Sequence, residues 1–247
     1  MSTPLEQFEI RPLINLEFGN LDLSFTNSSL AMILAIGGAV WLFNCALADS
    51  RLVPGRWQSL VEMIYEFVHS MVKSNLGDKG ERYFPFIFSL FSFILFCNLL
   101  GLIPYSFTAT THVIVTFTFS FSIFVGVTIL AFYTHQAKFL AFFLPDGIPM
   151  FLAPFLVCIE VLSYLARPFS LGIRLFANMM SGHTLFKIIA GFSWTMLQAT
   201  GLIYLAGFVP IIFLVIFTGL ELAICCIQAY VFSILTVLYL KDSIYMH

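Results

Sequence analysis

Charge is scarce in this chain: 247 residues carry only 11 basic and 13 acidic side chains, 10% of the total. That is too little to hydrate the surface of a soluble domain of this size. No basic run long enough to follow a phosphate backbone occurs, so nucleic acid is set aside as a partner, and the net charge of −2 adds nothing further. Cysteine is equally uninformative: Cys45, Cys97, Cys158, Cys225 and Cys226 show neither C-x-x-C nor histidine-rich spacing, which argues against a disulfide framework or a metal site. All five are read as small apolar packing residues. The phosphate-cradling G-x-x-x-x-G-K-[ST] loop is missing, and with it any expectation of a nucleotide site or a cofactor. Neither H-E-x-x-H nor a nucleophile-base motif occurs, which argues against an intramembrane hydrolase. A secondary transporter usually shows repeated halves, and no internal repeat is found. The opening "MSTPLEQFEI" has acidic residues, no cationic leader and no early apolar run, so it is expected to be neither a secretory signal nor a transit peptide.

What the sequence has instead is apolar length. Hydrophobic residues make up 60% of it and include 30 phenylalanines, a composition that points to an integral membrane protein. Its apolar segments are long and unbroken, unlike the short alternating segments of a membrane β-barrel. The expected fold is all-α: a polytopic membrane protein forming one membrane domain over residues 1–247, with five crossing helices and one interfacial amphipathic helix. The first span is residues 28–48. At residues 56–76, Leu60, Val61, Ile64, Val68, Met71 and Val72 recur at helical spacing while Glu62, Glu66, His69 and Lys73 take another face, as in a helix lying in the interface. Residues 84–103 and 112–132 form a hairpin broken at Pro104. Two further segments, 150–192 and 198–241, would each be about 60 Å long as a helix, roughly twice the hydrocarbon thickness. One tilted helix each, forming a long C-terminal hairpin, is preferred to two crossings each. Arg51, Arg56, Lys73, Lys79, Arg82, Lys138 and Lys241 then fall on one side, the inner one. The N-terminal tail and the loops near Tyr105 and Ser193 fall on the outer side, with Lys187 as the exception.

Ionisable groups inside a span cost several kcal/mol unless paired or hydrated, so those of the long hairpin are functional candidates. With the two helices antiparallel and Arg174 level with Gln228, His183 and Glu221 lie at nearly one depth on the outer side. Glu160 and Asp242 match in the same way on the inner side. Histidine and carboxylates exchange protons at ordinary pH and guanidinium does not, so protons can be relayed on either side of Arg174 but not through it. Glu160 and Asn178 share a helix face with Arg174, and Glu221 shares one with Gln228. His183 points the other way on an ideal helix, so either the outer route comes around the helix or Gly182 distorts it. No carboxylate of the chain sits at the depth of Arg174, and its counter-ion is expected from another subunit. Asn178 and Gln228 equally suit a role as interhelical hydrogen-bonders, and Arg167 and Lys187 a snorkelling one.

The stretches "LGIRLFANMMSGH", "GLELAICCIQAYVF" and "NLLGLIPYSF" together resemble subunit a of the F-type ATP synthase, and the likeness covers most of the chain from the first span onward. The resemblance implies that Arg174 is the family's indispensable arginine, with Asn178 and Gln228 as supporting polar residues. It also implies that Asn98, His183 and Glu221 serve an outer proton half-channel, and Glu160 and Asp242 an inner one. The implied partners are a rotating ring of proteolipid subunits with a mid-membrane carboxylate, the peripheral stalk and other membrane-sector subunits, and membrane lipid. The subunit itself would be non-catalytic. The order of His183 and Glu221, with "PLEQFEI" near the start and "YLKDSIYMH" at the end, is similar to mitochondrial and α-proteobacterial members, so the resemblance favours a mitochondrial inner membrane, with a bacterial inner membrane as the alternative.

Overall fold

The computed structural model describes residues 8–15, 17–18, 21–22, 24–48, 51–103, 106–136, 153–199, 204 and 206–245. Apolar runs dictate the elements. Six long helices follow one another among the described residues: α1 (Asn27–Ala48), α2 (Arg56–Leu76), α3 (Phe84–Gly101), α4 (Val113–His135), α5 (Ala153–Leu197) and α6 (Phe208–Tyr245). All but α2 are long and apolar enough to cross a membrane. The protein is therefore an all-α polytopic membrane protein. Each long segment is a single uninterrupted helix, 45 residues in α5 and 38 in α6, so neither folds into two crossings. At 1.5 Å per residue both exceed the bilayer thickness and must tilt to keep their apolar length in lipid.

One feature had no counterpart in the sequence reading. Ahead of α1, β1 (Pro12–Ile14) pairs antiparallel with β4 (Phe25–Thr26), and β2 (Glu17–Phe18) with β3 (Leu21–Asp22) inside it. Strands this short carry no legible alternation. The ribbon is tied to α1 by Asn27, whose Oδ1 accepts from the Arg11 N–H at 3.2 Å and whose Nδ2 donates to the Glu9 carbonyl at 3.1 Å.

The bundle is built around α3, which touches α1, α2 and α6, while α4 packs on both α5 and α6. Half of the apolar window of α3 is buried, against 17% for α5 and 6% for α6. The long hairpin thus contributes one face to the core, through Leu171, Leu175, Phe232 and Val237, and leaves the rest open. Helix α5 meets α4 closely at Gly172, where a Cβ would sit 3.2 Å from the Phe117 Cα and 3.3 Å from the Thr116 carbonyl. Small residues at such crossings let membrane helices approach, since lipid supplies no hydrophobic drive between them. Pro168 gives α5 no N–H at that turn, yet the helix runs on through it. There Ser120 Oγ donates to the Pro168 carbonyl at 2.6 Å and fastens α5 to α4.

Contacts between distant segments define the two ends of the bundle. At one end the Tyr245 hydroxyl donates to the Leu76 carbonyl at 2.8 Å, Lys79 lies over the Tyr245 ring, and His135 Nε2 lies 2.9 Å from the Ser243 carbonyl oxygen. The other end gathers the N-terminal ribbon, the α3–α4 connection and the outer part of α5.

Candidate functional site

Arg174 lies on the face of α5 that its own chain leaves open. Leu171, Gly172 and Leu175 turn into the bundle, whereas Ser170, Ile173, Arg174, Ala177, Asn178 and Ser181 are exposed. The guanidinium makes no hydrogen bond or ion pair with any described residue. One turn along, Asn178 Nδ2 donates to Gln228 Oε1 at 2.8 Å, crossing from α5 to α6. Gln228 is 3% exposed and its own Nε2 has no partner, so its amide is held by the Asn178 contact alone. This pairing sets Gln228 opposite Asn178, one turn or about 6 Å from its expected level with Arg174.

Toward the ribbon end, the structure brings His183 and Glu221 to one pocket of about 190 Å3, which Asn178, Ser181 and Cys225 also line. That volume holds several waters. No direct hydrogen bond joins the two among the described residues. His183 instead turns toward the α3–α4 connection, its Nε2 3.2 Å from Thr108 Oγ1, and lies edge to face with Phe8, ring centroids 6.5 Å apart. Helix α5 is continuous through Gly182. Gly182 has a different function: the Glu221 carboxylate rests where its side chain would be, and a Cβ there would collide with Glu221 Oε1. Because the colliding atom ends a flexible side chain, the carboxylate and not the helix would yield. In Gly182→Ala we expect the subunit to assemble normally while proton-coupled ATP synthesis falls about tenfold. Gly191→Ala, where nothing lies within 4 Å of the new Cβ, is the control and should match the parent in both assembly and synthesis.

Asn98 on α3 is wholly buried. Its Oδ1 accepts from Thr110 Oγ1 at 3.4 Å and its Nδ2 is unpartnered, while its backbone carbonyl faces Cys225 Sγ at 3.8 Å, one turn along α6 from Glu221. Asn98 therefore stands beside the pocket.

At the opposite end, Asp242 does not lie free beside Glu160. Its Oδ2 pairs with Arg167 Nη1 at 2.9 Å, and the guanidinium is flanked by the Tyr164 and Tyr239 rings, each 5.4 Å from its carbon. The Tyr164 hydroxyl lies 2.8 Å from Thr128 Oγ1. Tyr164, Arg167, Tyr239 and Asp242 line a cavity of about 20 Å3, room for one water. Glu160, two turns further along α5, makes no hydrogen bond or ion pair with a described residue. Sequence reasoning missed Arg167 as the partner of Asp242 because the expected register separates them by about two turns; the Asn178–Gln228 pairing removes about one of these, and the length of the arginine side chain spans the rest. It also passed over Thr108 and Thr110, although a loop reading "SFTATTH" is dense enough in hydroxyls to be a signal.

These features define a class: a polytopic helical membrane protein whose long hairpin carries a cation with no counter-charge among the described residues, between two separate groups of ionisable side chains. A family model described as "ATP synthase A chain" matches residues 28–241. The chain belongs to that family, subunit a of the membrane sector of the ATP synthase. Among its relatives named "ATP synthase subunit a", that of Chondrus crispus is 50% identical over 247 residues, covering 100% of this chain and 98% of the relative. That of Marchantia polymorpha is 51% identical over 249 residues, covering 99% of each chain. A bacterial relative from Paramagnetospirillum magneticum is 48% identical over 251 residues and covers 100% of both.

Proposed function

We propose that this chain is the non-catalytic, proton-conducting stator of the membrane sector, acting as a single membrane domain in the mitochondrial inner membrane. Protons reach a ring of proteolipid subunits through a half-channel lined by His183, Glu221 and Asn98 and leave through one that contains Glu160 and Asp242. Arg174 separates the two. The reading is carried by the open guanidinium: a fixed cation on an exposed helix face, without a counter-charge among the described residues, calls for a carboxylate from a partner. Around it, Ser163, Ala166, Ser170, Ala177 and Ser181 are small and exposed, so a partner helix can come close enough for its acid to meet the arginine.

A ring carboxylate takes up a proton in the outer pocket, which makes it neutral and able to pass through lipid. Brought to Arg174 it ionises, because the neighbouring cation favours the charged form, and the proton leaves on the inner side. Asn178 and Gln228 hold α5 and α6 together beside the arginine. Each proton crossing the field yields ~2.3 kcal/mol per 100 mV, so several are needed to drive one costly synthesis elsewhere in the complex. Membrane lipid, the peripheral stalk and other membrane-sector subunits complete the surroundings.

Isolation of the chain from native membranes tests this. Co-purification with a proteolipid ring, and proton conduction by that assembly in vesicles under an imposed potential, is the expected result. Recovery as a ring-free, substrate-binding monomer would overturn the reading.

A further inference from the structure

Thr108 has no part in the half-channels described above, yet the structure treats it as a fixed component. It is 4% exposed and lies in the short connection between α3 and α4. Thr111 Oγ1 donates to its carbonyl at 2.6 Å, and the following turn, Ala109–Thr111, packs on α5. Gly101 leaves room for it: a Cβ on Gly101 would lie 2.7 Å from Thr108 Cγ2 and 2.9 Å from Oγ1. So anchored, the hydroxyl sits 3.2 Å from His183 Nε2, and Phe8 closes against the imidazole from the ribbon.

We infer that Thr108 is a positioning residue for His183, locking the imidazole through Nε2 in the orientation that lets the ring exchange protons across the pocket it shares with Glu221. The inference rests on the proton-relay reading of His183. Without the hydroxyl, Nε2 loses the hydrogen bond that fixes the ring's orientation. A hydroxyl suits this place because it can donate to the neutral ring and accept from the charged one, so it follows His183 through both states. Among the described residues, the ionisable groups on the elements packed around His183 are Glu221 on α6, Lys187 one turn further along α5, His112 at the end of the same connection, and the Glu9–Arg11 ion pair just after Phe8. His112 lies just outside α4, and burial shifts it down from the ordinary histidine value.

The test uses the whole complex in vesicles, with ATP synthesis driven by an imposed gradient and the outer pH varied at fixed inner pH. Thr108→Val, which keeps the shape and removes the hydroxyl, is expected to slow synthesis about fivefold, the equivalent of one hydrogen bond. It is also expected to move the outer-pH midpoint by about 0.7 unit while the inner-pH midpoint stays. Thr108→Ser should restore both. Should the valine variant fail to assemble, Thr108→Cys, similar in volume but a weak donor, takes its place with the same expectations. Parental behaviour of the hydroxyl-free variant alongside an impaired His183→Ala overturns the role of Thr108 alone. Equal loss in the serine and valine variants, or loss without a midpoint shift, assigns Thr108 to packing and also overturns it. A parental His183→Ala overturns the relay reading of His183 and this inference with it.

Discussion

Arg174→Lys is expected to abolish ATP-coupled proton movement, lowering it at least 100-fold or about 2.7 kcal/mol of barrier, in a complex that still assembles. The two side chains carry the same charge in water but differ where this residue acts. Guanidinium keeps its proton under all conditions a protein meets, whereas a desolvated ammonium releases its proton readily. A lysine at this position passes a proton across the boundary it should hold, or goes neutral and no longer draws a ring acid into its charged form. The planar fork is lost as well, and with it the two-point grip on a carboxylate. Nothing in the bundle compensates, since no described residue pairs with Arg174. The measurement is ATP synthesis and proton flux in vesicles containing equal amounts of assembled complex. Synthesis coupled at the parental rate would eliminate the barrier role.

Exchange of His183 and Glu221 is expected to harm synthesis far less than conversion of both to alanine. The double alanine variant should lose at least 100-fold, because general acid-base groups are worth about that much or more. The exchanged variant should keep a clear fraction of the parental rate. Both residues line one pocket with no hydrogen bond between them, so under the proposed function what matters is that two proton-exchanging groups occupy it, more than which helix carries which. Some loss is expected even so. Glu221 fits because Gly182 leaves space for its carboxylate, and an imidazole at position 221 does not fill that space in the same way. A carboxylate at position 183 also meets Thr108 on different terms. Equal rates in the two double variants would show that the pair does not form one relay.

The helical bundle was legible because lipid enforces a simple code. A chain that crosses hydrocarbon must satisfy its backbone internally and show an apolar exterior, so helix number and length follow from runs of Leu, Ile, Phe and Val. The depth argument for the long hairpin also rested on a rigid quantity, the rise per residue, and it brought His183 and Glu221 to the same pocket. What remained hidden depends on things a rise per residue does not encode. Arg167 reaches Asp242 through the length of its side chain. Thr108 meets His183 only because a loop folds back over Gly101. The N-terminal ribbon is made of two- and three-residue strands, below the length at which alternation can be read. Gly182 was singled out as a point where the helix might deform, yet its contribution is the absence of a side chain across from Glu221.

The exposed face of α5 has a bearing on biogenesis. Released alone into a bilayer, the subunit would present a bare guanidinium to acyl chains, at a cost of several kcal/mol, on a helix whose own fold covers 17% of its apolar window. Such a chain is a poor long-term resident of lipid and a ready substrate for membrane quality control. Under the proposed function, its stay in lipid is short unless a partner's carboxylate covers that face, so the charge itself favours late insertion, after such a partner is in place.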